Sequence, residues 1–170
     1  VRVTPRVLSQ LEALVSLAPL HQPHGIAGIR ALAERLPDVP QIACFDTAFH
    51  RTQPAVAQLF GLPRELSGDG IRRYGYHGAS HRYVSETARK FGSPKHVISC
   101  HLGGSGSICA IRDGVSQNNS FGFSLQSGVQ HSTRTGDLDP FIPIYLLKSG
   151  LTLDEVWDGL VKRGGLLGIS

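Results

Sequence analysis

Apolar positions in the first part of the chain recur at helical spacing. Leu8, Leu11, Leu14 and Val15 share one face, Thr4 stands as N-cap with Pro5 in the first turn, and Pro19 ends the run. Beyond the loop 19–23 a second helix is expected over 26–36, closed by Pro37. Residues 41–45 (QIACF) form a short apolar run of buried-strand type that stops at Asp46. A short helix follows over 54–60, then a turn-rich stretch over 61–70. Residues 80–91 read as a helix with Tyr83, Thr87 and Phe91 on one side. Strands are expected over 95–102 and 107–112, joined by a Gly-Gly-Ser-Gly turn. Asp113-Gly114 is a two-residue hairpin signal that returns the chain through 115–118. Asp139-Pro140 opens a helix to about 148, and Thr152 with Glu155 forms a capping box for another over 152–163. The order of elements predicts an α/β class with antiparallel pairing.

Composition narrows this picture. With 170 residues, 41% apolar and 18% charged, the chain can bury a core and is no disordered tail. No apolar stretch reaches the ~18 residues of a membrane span, and the N-terminus shows no secretory h-region. Methionine is absent even at position 1, so the sequence reads as processed or as a segment of something longer. The net charge of +4 is scattered, with dense patches only at Arg72-Arg73 and 82–95. No basic stripe with interleaved aromatics is present, so nucleic acid is not expected as a partner, whereas an anionic small ligand fits. Cys44, Cys100 and Cys109 sit in apolar runs without CxxC spacing and are expected to be buried, reduced thiols of a cytosolic protein.

Five segments carry candidate chemistry. Asp46 ends the strand-like run, where a carboxylate either positions a magnesium ion or caps the next turn. His77 and His81 lie four apart, but Gly78 occupies the place of the HExxH glutamate. That argues against zinc; His77 reads instead as a donor to an anion or as a packed loop histidine. The loop Gly103-Gly104-Ser105-Gly106 can turn backbone N–H groups toward phosphate, though it is neither a Walker A loop nor a GxGxxG fingerprint. Arg134, in Thr133-Arg134-Thr135-Gly136, either forks onto a carboxylate or phosphate or pairs with Asp137 or Asp139. His21 sits alone in a proline-framed loop.

In order, these segments resemble the acetate kinase family. Residues 17–23 (LAPLHQP) are similar to the family's LAPLHNP, and 40–50 (PQIACFDTAFH) to PQVAVFDTAFH. Residues 71–81 (IRRYGYHGASH) match IRRYGFHGTSH except at Tyr76 and Ala79. Residues 101–107 resemble HLGNGAS, and 133–140 resemble TRSGDIDP. The likeness runs essentially end to end.

The resemblance implies ribonuclease-H-like (actin-like ATPase) lobes with a mixed sheet and flanking helices. Residues 1–48 would end the first lobe and 49–170 would open the second, nucleotide-binding lobe. The family's upstream NxGSSS and HRVVHGG motifs, its GGIGEN loop and its late glutamate are not in this sequence, so the segment alone is expected to be inactive. The implied activity is ATP-dependent phosphorylation of a short-chain carboxylate in the cytoplasm, by a homodimer using Mg²⁺. Asp46 would steer that ion indirectly. His77 would contact the phosphoryl group in flight, Arg134 would bind carboxylate and phosphate, and His21 would play a lesser part. Gly103, Gly104, Ser105 and Gly106 would lie over the nucleotide phosphates, and Leu20, Tyr76 and Leu125 would line the acyl pocket. Departures stand at Gly104 (family Asn), Asn118, His131-Ser132 (family Met-Gly), Tyr76 (family Phe) and Leu125 (family Pro). They leave the preferred acid open, and with it two rival readings: a degenerate nucleotide-binding relative, or a metal-dependent nuclease built on Asp46, Asp137 and Asp139.

Overall fold

The computed structural model describes residues 1–19, 21–68 and 70–170. They form two compact units, residues 1–45 and 46–170.

The first unit is a helix pair with a short backbone tie. Helix α1 (Pro5–Ala13) is capped by the Thr4 hydroxyl, which accepts from the Val7 N–H. Helix α2 (Gln22–Arg35) packs on it, burying Leu11 against a partner face that carries Ile26. The run 41–45 departs from expectation: it is no buried strand. It makes an isolated antiparallel bridge between Arg2 and Ile42, and Ile42, Cys44 and Phe45 are exposed. Its apolar side chains have no second strand and no covering layer within this unit, so the strand pattern finds no sheet to join.

In the second unit, strand β1 (His96–Leu102), strand β2 (Gly106–Arg112) and strand β3 (Val115–Asn119) form an antiparallel sheet in that order. Asp113 and Gly114 both take positive φ, 52° and 80°, the geometry of the tight hairpin turn the sequence announces. A bulge in β3 shifts the register between Ala110 and Ile111. It restores inward aim beyond the kink, so that Ser116 and Asn119 are both buried.

One face of this sheet is covered. Helix α5 (Gly78–Ala88), which follows the short helices α3 (Ala55–Gln58) and α4 (Arg64–Ser67), lays His81 and Ser85 against β1. The 3₁₀ turn Ala48–Thr52 lays His50 against β3. Tyr83 and Phe91 point outward, so the buried side of α5 is the polar one. On the opposite sheet face Ile98, Cys100 and Leu102 are exposed; Cys44, in the first unit, is exposed as well, so of the three thiols expected to be buried only Cys109 is.

The rest of the unit holds one loop in place. Helix α6 (Phe141–Lys148) packs on α7 (Leu153–Val161), which has the expected Thr152–Glu155 capping box. Helix α8 (Gly165–Ile169) was not expected from the pattern. Backbone bonds run from Gly164 N–H to Thr133 O, Leu166 N–H to His131 O, Leu167 N–H to Ser132 O, and Thr135 N–H to Leu160 O. These fasten residues 131–135 to the α7–α8 corner. Gly165 makes the close approach possible: its φ is +62°, and a Cβ there would lie 2.3 Å from His131 O and 2.6 Å from Arg134 O. Gly165→Ala is therefore expected to destabilise the fold by about 2–3 kcal/mol, measured by denaturant unfolding. An unchanged midpoint would show that the corner yields without cost.

Candidate active site

The 46–49 and 76–78 segments meet at a corner. His77 takes a left-handed conformation, φ 57°, and serves as N-cap of α5. Its backbone N–H donates to Asp46 Oδ2 at 2.6 Å, and the next N–H, from Gly78, donates to the Asp46 carbonyl at 2.9 Å. A side chain at Gly78 would put its Cβ 2.2 Å from that carbonyl, so only glycine allows this contact. Asp46 thus caps the start of α5, a different segment from the turn that follows it in sequence.

The His77 ring is held on three sides. Nδ1 bonds Ser107 Oγ at 2.9 Å, the His101 ring stacks on it at 3.9 Å, and Phe121 meets it edge-on at 5.3 Å. Phe121 is fully buried and also touches Tyr76 edge-on and His131 face-on. His81 is fully buried between two hydroxyls, Ser99 at 2.9 Å and Ser107 at 2.8 Å. Both its nitrogens are engaged, which removes it as a zinc ligand. Among the described residues no group of three His, Cys, Asp or Glu is placed to hold a metal.

Arg134 is half-buried and donates from Nη1 to Leu125 O at 2.8 Å. The pairing with Asp137 or Asp139 does not occur. Asp137 Oδ1 accepts the Gly128 N–H and Asp139 Oδ1 accepts the Phe141 N–H, and among the described residues no ion pair includes Arg134. Its charge acts on both His77 and His131. Phe121 links the two segments: it stacks on His131, three residues before Arg134, and meets the His77 ring, whose backbone N–H is held by Asp46.

The glycine turn joins the same wall. Gly106 N–H donates to His131 Nδ1 at 2.9 Å, and Ser132 N–H to Gly104 O at 3.1 Å. Gly103 N–H is taken by Ser105 O. Two of the turn's donors are thus used internally, leaving those of Gly104 and Ser105 without a bond among the described residues. Ser105 Oγ is buried with no partner. Tyr76 donates its hydroxyl to Phe123 O at 3.2 Å. Leu20 lies outside the described residues. His21 begins α2 in the first unit and is described apart from this cluster.

Burial sets the electrostatics. Desolvation first, and then the neighbouring imidazoles, push His77 and His81 down to about 4. Burial also lowers His50 and His131, and it lowers Arg134 within its far higher range. The imidazoles are neutral near pH 7 and the guanidinium is charged. Neutral N–H donors beside a guanidinium without a carboxylate partner suit bound anions. Sequence reasoning missed His131, Phe121, Ser107 and His50 as parts of this wall. The one signal for any of them was His131, where the family has methionine.

The second unit is thus a mixed α/β unit with a guanidinium, several imidazoles and a glycine turn on linked segments. Comparison with known proteins places it further. The model of the Acetokinase family matches residues 1–170, and the chain belongs to that family. It is 48% identical to acetate kinase 2 of Aliivibrio fischeri, over all of this chain and 44% of that protein. It is 49% identical to propionate kinase of Citrobacter rodentium, over 99% of this chain and 43% of that one. The structure of a propionate kinase from Francisella tularensis superposes with a TM-score of 0.94 at 41% identity, over 99% of this chain and 45% of that one. Acetate kinase from Entamoeba histolytica gives 0.92 at 35%. The chain therefore spans less than half the length of these relatives. Its fold class is the expected ribonuclease-H-like, actin-like type.

The lowered histidines fix a pH dependence. An unfolded histidine titrates near 6.5, so as pH falls the unfolded chain takes up protons before the folded one does. Stability is full above about pH 6.5 and is lost progressively toward pH 4, on the order of a few kcal/mol in all. Denaturant midpoints across this window test it; a flat profile would mean that these rings are not buried in the neutral form.

Proposed function

We propose that this chain is the central part of an ATP-dependent short-chain carboxylate kinase, which moves the terminal phosphoryl group of ATP to a carboxylate and gives an acyl phosphate and ADP, reversibly. Residues up to about 48 then belong to the first lobe and the remainder to the second, and the segment alone is inactive. The observation that carries this reading is the convergence of an unpaired Arg134, a neutral His77 and Asp46 in a member of the acetokinase family.

The chemistry suits these parts. A carboxylate nucleophile, with a reference pKa near ~4, is already ionised at pH 7 and needs no general base. The protein's task is to hold two anions in line and to neutralise the equatorial oxygens. Arg134 offers forked donors for that purpose, and His77 offers a ring N–H. The N–H groups of Gly104 and Ser105, which have no bond among the described residues, are the donors available to the nucleotide phosphates. A magnesium ion would supply further charge neutralisation there. One carboxylate, Asp46, suits an ion that keeps most of its waters and takes the rest of its ligands from phosphate. Tyr76 and Leu125 are assigned to the acyl pocket of the second unit; the roles given to Leu20 and His21 rest on the family resemblance alone. Among the described residues no helix is long and apolar enough to cross a membrane. The exposed thiols of Cys44 and Cys100 fit a reducing cytoplasm, and the whole enzyme is a homodimer. The nuclease reading loses support because Asp137 and Asp139 are engaged as backbone caps.

In the complete enzyme, Arg134→Ala is expected to cut acyl-phosphate formation by a few hundred-fold or more, about 3 kcal/mol of barrier or above, with the fold retained. Trapping acyl phosphate as the hydroxamate measures it. Near-normal turnover refutes the role, and silence of the unaltered enzyme with every short acid supports the degenerate reading instead. Gly104 has room for a side chain, since its Cβ would meet only Ser132 Oγ at 3.8 Å. Gly104→Asn is expected to fold normally and to tighten ATP binding by up to about tenfold, one added hydrogen bond to a charged group. Isothermal titration checks this.

A further inference from the structure

We propose that Ser107 and His81 are positioning residues that hold His77 in the tautomer with its proton on Nε2. The inference deepens the kinase reading and rests on it for its purpose. Its geometry stands independently. Ser99 Oγ, His81 Nδ1, His81 Nε2, Ser107 Oγ and His77 Nδ1 form one unbroken chain of hydrogen bonds at 2.9, 2.8 and 2.9 Å. Ser99, His81 and Ser107 are buried, so water does not interrupt it. Beyond the last bond, His77 Nε2 has no partner among the described residues.

Each hydroxyl in this chain has one proton, and each neutral imidazole has one. Only two senses make all the bonds and also use the Ser107 proton within the chain. In one, Ser99 donates to His81 Nδ1, His81 Nε2–H donates to Ser107, and Ser107 donates to His77 Nδ1. His77 Nε2 then carries a proton. In the reverse sense His77 donates to Ser107 and presents a bare lone pair. A lone pair repels an anion held by Arg134, whereas an N–H binds it, so a bound anion, carboxylate or phosphoryl, selects the first sense. A mixed arrangement either asks Ser107 to donate twice, which its single proton cannot do, or has it accept twice and leaves its buried hydroxyl proton without an acceptor, which is costly. The serine thus couples the two rings: the tautomer of one dictates that of the other. The ring's tilt is set separately by His101 and Phe121, and its backbone by Asp46. Ser107 is left with the proton's address as its own contribution.

The test uses the intact protein with ring-¹⁵N-labelled histidine, long-range ¹⁵N–¹H correlation near neutral pH with ADP and acetate bound, and steady-state kinetics. The unaltered protein is expected to show His77 and His81 each as a single Nε2–H tautomer. Ser107→Ala is expected to give mixed tautomers at His77 and to lower kcat on the order of ten- to a hundredfold, with KM for carboxylate and ATP within about twofold. Ser107→Thr, which keeps the hydroxyl, is expected to restore both the single tautomer and most of kcat. A proton on Nδ1 of His77 in the unaltered protein overturns the proposal, and this reading needs no variant to fold. An unchanged tautomer or an unchanged kcat in Ser107→Ala overturns it as well. A protein that makes no acyl phosphate but shows the expected spectra overturns the kinase reading while the lock stands.

Discussion

Two adjacent backbone N–H groups, those of His77 and Gly78, reach across to one residue, Asp46. The rest of the wall depends on this clasp. It stops the chain in a left-handed turn at His77 and starts α5 one residue later, which swings the imidazole back over the sheet instead of along the helix. The helix N-terminus gains a carboxylate where its own donors are unpaired. Without the clasp, His77 would have to give up either its conformation or its contact with Ser107. A left-handed non-glycine residue costs free energy and persists where its surroundings over-determine it. Here the Asp46 bond, the His101 stack and the Ser107 bond do so together.

The second constraint is electrostatic. Five histidines, at 50, 77, 81, 101 and 131, crowd a small volume beside Arg134. Were they charged, they would repel one another and the arginine. Burial pushes His50, His77, His81 and His131 toward the neutral form; hydroxyls and a backbone carbonyl take both nitrogens of His50 and His81, whereas His131 Nε2 is buried without a partner among the described residues. What faces the anion site is then a single strong positive charge surrounded by weak directional donors. Under the proposed kinase reading, such a wall suits an oxyanion held through directed donors, as phosphoryl transfer between two ligands of like charge requires.

Much of this was legible in advance because local rules and tertiary needs agreed. The Asp113-Gly114 hairpin and the Thr152–Glu155 capping box each carry their geometry in two residues, and both formed. The odd residue combinations of 71–81 and 133–140 drew attention for a related reason: a histidine between glycines and an arginine among threonines have little use in packing. Elsewhere the pattern misled. The run 41–45 has the composition of a core strand, yet strand character belongs to a sheet, and the first unit supplies only a single bridge at Arg2. The α5 face misled in the other direction. Its buried residues are His81 and Ser85, so hydrophobic periodicity pointed away from the side that packs. The buried network of Ser99, Ser107, Ser116 and Asn119 was invisible, because small polar residues in strands ordinarily read as solvent-facing.

His131 shows how a departure from the family pattern can be absorbed. A methionine there would fill space beside Phe121 without offering an acceptor. The histidine stacks on that ring and takes the Gly106 N–H through Nδ1, which places its proton on Nε2 and fixes the last residue of the glycine turn. In the same turn, Gly104 lacks the side chain that its relatives carry. One position has lost a donor toward the nucleotide, and another has added a brace that stiffens the backbone around the remaining donors. A turn held in shape before the ligand arrives loses less entropy on binding. Under the proposed kinase reading the two substitutions act in opposite directions on one property, the hold of the turn on phosphate, and they are best understood as a pair.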